Sequence, residues 1–334
     1  MNKPLDASAL TMTDIIRLQT QLSQELARRF ERLAALAFTD VVDSTAYFAQ
    51  FGDEAGRRLQ QLHFDLLERC MGAQQGRIVD TAGDGAFLVF ASAAAAAQVL
   101  CALQNQVSLE NQNRARPHQL KLRSALHWSH VLTDGVQVTG DAVNLCARLV
   151  NTAQAAEIRL SQEAFQEFGP ELRRLCRPLG PVHLKGIART VDALALLWRD
   201  PLLFPSEVRV RESGERIVLP PQDTLCFGRG EIIDVSTFND VLLSLPNALA
   251  AKQISRRHFE LHSRATGYVL KALSSQPTEV DGVSLQRDQE APLRPGSCVR
   301  LAGVMTLDFV SPGLADVVTI DETLGGPCAQ QAEP

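Results

Sequence analysis

The pattern of apolar residues changes character once along this chain, just after Trp198. Before that point, runs with a helical repeat alternate with short continuous apolar runs. After it only short β-type runs remain, broken by Gly, Pro and Asp. A repeat of about 3.6 residues suits a helix and one of about 2 a strand, so the two stretches need different cores. The segment DPLLFPS, beginning at Asp200, carries two prolines between them and reads as a linker. With 334 residues there is chain enough for two domains.

The formal charge of -5 offers no basic field for a nucleic-acid backbone, which sets that class of partner aside. The opening residues, MNKPLDASALTMTD, lack the apolar core of a signal peptide. The longest apolar run, Ala91 to Leu103, is short and mostly alanine. The seven cysteines are scattered and never form a C-x-x-C pair, so they read as reduced thiols. The expectation is a cytoplasmic protein with no membrane span.

Residues 1–32 are read as an N-terminal helix: Ile15, Leu18, Leu22, Leu26, Phe30 and Leu33 recur every three or four positions, and Thr11 with Asp14 can cap the start. Such a stripe serves either a helix lying on its own domain or a two-chain coiled coil. The domain expected over 33–199 begins with the strand LAALAFTDVV and a helix from about Glu54 to Met71. The runs RIVD and AFLVF follow, joined through Gly83-Asp84-Gly85 as a hairpin. An alanine-rich helix from Ala93 to Gln106 comes next, then the strands KLRSALHW and VQV, the helices DAVNLCARLVNTA and SQEAFQEF, and the strands PVHLKG and DALALLW. This mixture indicates an α+β sheet covered by helices. After a linker at 200–205, the β-runs of 206–311 indicate an all-β sandwich. Residues 312–334 are Gly-, Pro- and Gln-rich and read as a flexible tail.

Asp40 closes the apolar run of FTDVVDST, and Asp84 sits at the hairpin tip. If those strands are neighbours, both carboxylates leave one sheet edge, an oxygen-rich arrangement suited to hard divalent cations beside a phosphate. In GDAVNLCARL, Asn144 and Arg148 are four residues apart and share one face of an otherwise apolar helix. No P-loop and no H-R-D motif accompany these acids, which argues against a kinase or phosphatase.

Four segments in order, FTDVVDST, TAGDGAFLVF, GDAVNLCARL and VHLKG, resemble the class III adenylate/guanylate cyclase catalytic domain. The resemblance implies a ferredoxin-like βαββαβ sheet covered by helices. It also implies conversion of a nucleoside triphosphate to a 3′,5′-cyclic nucleotide and pyrophosphate, in a homodimer with composite sites. Carried over by position, Asp40, Asp84 and the Val41 carbonyl would hold two Mg²⁺ or Mn²⁺ ions. Asn144 would orient the ribose, Arg148 would balance charge on the α-phosphoryl group, and Lys185 would grip the terminal phosphates. Where mammalian-type adenylate cyclases read adenine with a Lys and an Asp, this chain has Asp80 and Gln137. Asp80 is similar to the acidic residue of guanylate cyclases, and Gln137 fits either base. ATP is placed first as substrate, with GTP the alternative. A catalytically dead scaffold of the same fold is the rival from another class.

In the second stretch FGRG, SRRH and TEVDG stand at the ends of β-runs, where loops of a sandwich cluster. The spacing resembles a forkhead-associated (FHA) domain. That implies phosphate binding by Arg229 and Ser255 to a phosphothreonine protein, a peptide contact from Arg256, and structural roles for Gly228 and His258. The Asn-Gly common in the family is replaced by Gln276-Pro277 and Asp281-Gly282. An FHA fold that no longer reads phosphate is therefore the alternative.

Overall fold

Thr11 and Asp14 close a reciprocal capping box at the start of α1 (Met12–Phe30), as their spacing predicts. None of the helix's residues is buried, so its apolar stripe is not packed into a core. The computed structural model describes residues 10–72, 76–187, 190–229 and 239–311. The expected tail at 312–334 lies outside the described residues.

The chain divides into two compact units, one of residues 1–103 and 122–196, the other of 104–121 and 197–334. In the first, β1 (Glu31–Val41) leads to α2 (Ser44–Met71), β2 (Gly76–Ala82), β3 (Gly85–Phe90) and α3 (Ala93–Asn111), whose last turns fall in the second unit. Then come β4 (Leu122–Thr133), β5 (Val138–Thr139), α4 (Asp141–Val150), β6 (Ile158–Ser161), α5 (Gln162–Gln166), α6 (Pro170–Arg174), β7 (Cys176–Val182) and β8 (Val191–Leu196). The strands make one sheet in the order β2-β3-β1-β4-β6-β8-β7, with β5 on β4. Its first four strands, with α2 and α3 as crossovers, form the anticipated βαββαβ core.

β1 sits centrally because Ala34 to Ala37 are all buried, a continuous apolar run that needs cover on both faces. It pairs antiparallel with β3 and with β4. Phe38 lies directly opposite Phe87, and their rings stack at 4.6 Å. A slip of one residue would turn this pair to the other face, so the stack helps fix the register. α4 packs Ala142, Leu145, Cys146, Leu149 and Val150 into the core shared with Leu36, Phe87 and Leu184.

Several boundaries differ from those expected. α2 begins ten residues before Glu54, with a non-helical break at Gly52 that hides its first turns from a periodicity argument. α3 runs on to Asn111. The DAVNLCARLVNTA helix stops at Val150, and β7 ends at Val182, leaving Lys185 in a turn. The four-residue β6 was too short to be read as a strand.

The second unit holds β9 (Glu207–Val210), β10 (Arg216–Val218), β11 (Thr224–Gly228), β12 (Val241–Leu242), α7 (Ala248–Ala251), β13 (Phe259–Arg264) and β14 (Gly267–Ala272). β15 (Thr278–Val280), β16 (Val283–Leu285), β17 (Glu290–Leu293), β18 (Cys298–Leu301) and β19 (Met305–Val310) complete it. Two sheets, ordered β10-β9-β19-β18-β15-β16 and β12-β11-β13-β14-β17, form the expected sandwich. Val208, Phe227, Phe259, Leu261, Leu301 and Phe309 fill its core. Within this unit Asn111 donates to the Asp223 carboxylate at 2.8 Å and Arg116 to Asp240 at 2.8 Å. Residues 104–121 thus belong with the sandwich despite their place in the sequence.

Candidate active site

β1 ends and β3 begins at the same edge of the first sheet, since Thr39 faces Ala86 across the ladder. Asp40 follows Thr39, and Asp84 precedes β3 at the hairpin tip. Both therefore line one cleft of about 600 Å³, together with Val41, Asp43, Ser44 and Arg123. The adjacency that the sequence argument required is present.

A buried histidine from α2 holds this edge together. His63 Nδ1 donates to the Asp84 carbonyl at 3.0 Å, which leaves Nε2 to accept from Thr39 Oγ1 at 2.9 Å. The ring thus joins the residue before Asp40 to Asp84 itself. Burial drives its pKa down to about 4, against the favourable carbonyl and charge of Asp84, so it is neutral at physiological pH.

Asp40 has a second neighbour. Arg123 on β4 lies directly opposite it in the ladder. The guanidinium donates to Asp40 Oδ2 from Nε at 2.8 Å and from Nη2 at 2.6 Å. It also reaches Asn151, the C-cap of α4, through the carbonyl at 3.2 Å and Oδ1 at 3.0 Å. Two carboxylates beside a backbone carbonyl make an all-oxygen donor set, of the kind Mg²⁺ or Mn²⁺ uses when substrate phosphates complete the shell. Among the described residues no group of three His, Cys, Asp or Glu gathers around a common point.

A second cluster forms at α4 and the turn after β7. Arg148 Nη1 donates to the Lys185 carbonyl at 2.6 Å. Gly186 (φ +74°) sits beside it in the left-handed region that favours glycine, and a Cβ there would press on the end of the Arg148 side chain. The side chains of Asn144 and Lys185 are exposed. Asp80 is exposed on β2, and Gln137 is exposed in the turn before β5, where its N–H donates to Asp134 Oδ1 at 2.8 Å. None of these five residues lines the cleft of Asp40 and Asp84 in this chain. The structure brings the two acids together, and Arg148 to Lys185, but not one cluster to the other.

In the sandwich, the Arg229 N–H donates to the Ser255 carbonyl at 3.1 Å, so the FGRG and SRRH loops meet. Gly228 has a steric reason: a Cβ would lie 2.0 Å from the Arg256 carbonyl oxygen. His258 is fully buried and accepts from the Ser255 N–H at 3.1 Å, which shapes the loop. Desolvation pushes its pKa down to about 4 against the Pro277 backbone. Ser255 Oγ meets Ser274 Oγ at 2.6 Å, and Arg256 is exposed. The Arg229 Nε is buried with no hydrogen-bond partner among the described residues. Asp281, where Asn is common, accepts from Ser297 Oγ and the Cys298 N–H and so braces its own turn.

Residues 27–195, half of the chain, match the family model of the adenylate and guanylate cyclase catalytic domain. The chain belongs to the adenylate and guanylate cyclase family. Residues 225–302 match the FHA domain, so this cyclase-family chain carries an FHA domain after its catalytic domain. A Rhizobium meliloti protein named "Putative adenylate cyclase 3" is 26% identical over 140 residues, 42% of this chain and 24% of that protein. A serine/threonine-protein kinase of Myxococcus xanthus is 27% identical over 150 residues, 44% of this chain and 18% of that protein. The cyclase-family chain thus spans a quarter or less of the length of these curated relatives.

Among solved structures, an adenylate/guanylate cyclase/hydrolase from Silicibacter pomeroyi is 22% identical, with 51% of this chain and 98% of that chain covered at a TM-score of 0.46. An adenylate cyclase from Trypanosoma brucei is 20% identical, covering 50% and 90% at a TM-score of 0.43. Family membership rests on the family match alone. No helix among the described residues is long and apolar enough to cross a membrane, and Cys70, Cys146, Cys176, Cys226 and Cys298 are in no disulfide.

Three residues of the site escaped sequence reasoning: His63, Arg123 and Asn151. A histidine within the apolar stripe of α2 and an arginine within the apolar run LRSAL were the signals available. Neither shows what it touches until the strands are paired.

Proposed function

We propose that this chain is a metal-dependent nucleotidyl cyclase that converts ATP to 3′,5′-cyclic AMP and pyrophosphate, and that its FHA domain binds phosphothreonine peptides. The observation that carries the first half is the meeting of Asp40 and Asp84 in one cleft, from strands adjacent in the sheet but far apart in sequence. Asp40, Asp84 and the Val41 carbonyl would hold the cations. When bound, divalent ions lower the pKa of the ribose 3′-hydroxyl and neutralise the triphosphate. Asn144 positions the ribose, Arg148 balances the charge that grows on the α-phosphoryl group, and Lys185 holds the terminal phosphates.

Because Asn144, Arg148 and Lys185 stand apart from the cleft, the reading needs a second copy. A two-fold symmetric homodimer would give each site the acids of one chain and the α4 residues of the other. Asp80 supports a second reading, guanylate cyclase, since its carboxylate can accept from the N1–H and amino group of guanine. For the FHA domain, the support is the buried Nε of Arg229, which has no hydrogen-bond partner among the described residues and lies beside the Ser255 loop. A phosphate dianion there would supply a charge-assisted acceptor.

The test is incubation of the purified protein with Mn²⁺ and either ATP or GTP, measuring cyclic product. Asp84→Ala is expected to lower product formation by at least about 100-fold. No product with either nucleotide, from a demonstrated dimer, would leave a non-catalytic scaffold as the better account.

A further inference from the structure

Asp40 belongs, on the reading above, to a cation site, yet it is already held by a cation of the protein itself. Arg123 puts two hydrogen bonds onto Asp40 Oδ2, at 2.8 and 2.6 Å, in a pair whose side chains are each only 23% exposed. A bifurcated guanidinium contact of this kind orients a carboxylate and supplies the positive charge that a metal would otherwise bring. Both bonds land on one oxygen, Oδ2, and Asp40 itself lines the cleft. Arg123 also lines that cleft, so a divalent ion entering it meets a fixed positive charge.

The same guanidinium has a second anchor. Its bonds to the Asn151 carbonyl and Oδ1 reach the C-cap of α4, and Asn151 Nδ2 donates back to the Ala147 carbonyl at 2.9 Å. Ala147 and Arg148 are neighbours on that helix. One side chain therefore spans from an acid of the cleft to the end of the helix bearing Asn144 and Arg148. A lysine cannot reproduce this, because a single ammonium lacks the planar fork that serves two acceptors at fixed angles.

We propose that Arg123 is a positioning residue that stands in for a divalent cation at Asp40, ties that carboxylate to the C-terminal end of α4, and loosens its hold when the ion arrives. Cation loading is thereby felt at α4. In the homodimer proposed above, α4 serves the partner's site, so the clamp joins the two half-sites that each chain contributes. The inference rests on Asp40 being a cation ligand.

The test uses the intact protein without nucleotide, so that turnover plays no part. Mn²⁺ binding is titrated by the electron paramagnetic resonance signal of the free ion in wild type, Arg123→Gln, Arg123→Lys and Asp40→Asn. Hydrogen exchange of the amides at 149–153 is followed with and without Mn²⁺. Removing the competing charge is expected to tighten Mn²⁺ binding roughly three- to tenfold in Arg123→Gln, with Arg123→Lys between it and wild type. Mn²⁺ should speed exchange at the end of α4 in wild type, whereas in Arg123→Gln exchange should already be fast and indifferent to Mn²⁺. Unchanged or weaker Mn²⁺ binding in Arg123→Gln, or a wild-type α4 that ignores Mn²⁺, overturns the clamp. If Asp40→Asn abolishes Mn²⁺ binding in that case, the cation site survives without it. Should Asp40→Asn bind Mn²⁺ like wild type, the cation site and the clamp fall together.

Discussion

The acidic cleft of the first unit and the Arg229 loops of the second solve opposite problems. In the cleft, the protein satisfies its own polar groups: Arg123 answers Asp40, and His63 answers Thr39 and the Asp84 carbonyl. In the sandwich, the Arg229 Nε is buried and left without a described partner. A site whose charges are paired internally makes a ligand displace something, whereas an unpartnered buried donor is stabilised by the ligand. The difference lies in how each is built. The cleft comes from the ladder of a central strand; the loops come from a close backbone approach that only Gly228 permits.

That contrast can be broken at either end. The largest expected effect is at His63, where substitution by Ala opens a cavity and strands two polar partners. His63→Ala is expected to lower unfolding stability by about 3–4 kcal/mol in urea titrations. A change below about 1 kcal/mol would show that the cleft does not depend on internal satisfaction.

Arg229→Ala comes next. Loss of a charge-assisted contact should weaken binding of a phosphothreonine peptide by about 30- to 100-fold in calorimetry. Equal affinity would remove Arg229 from any phosphate site and favour an FHA fold that does not read phosphate.

The smallest effect concerns pH. His258 has its pKa lowered from 6.5 to about 4 in the folded state by desolvation, so the unfolded chain binds more protons between those values. Stability that is present above about pH 6.5 should decline by about 1–2 kcal/mol on going down to about pH 5, and His258→Gln should flatten that part of the profile. A wild-type profile equal to that of His258→Gln would mean that His258 does not titrate differently on folding.

Much of this molecule was legible along the chain because its signals are local. The capping box of Thr11 and Asp14, the apolar run of β1 and the turn at Gly83-Asp84 each depend on residues within a few positions. The order of motifs sufficed to anticipate a βαββαβ core followed by a sandwich. Boundaries were less legible where a local rule was broken, as at the Gly52 interruption in α2, or where an element such as β6 was too short to show a period. The membership of 104–121 in the second unit follows from contacts to Asp223 and Asp240, more than a hundred residues away.

The sequence by itself determined which residue types were on hand: two acids at strand ends, an Asn and Arg on one helix face, and an Arg after a glycine. Only the tertiary structure decided their company. Register across β1, β3 and β4 set Asp40 beside Asp84 and gave it Arg123, and burial chose the neutral ring of His63. The physical reason is that hydrogen bonds and ion pairs act over a few ångströms in space, and a linear order of residues contains no such distances until the strands have paired.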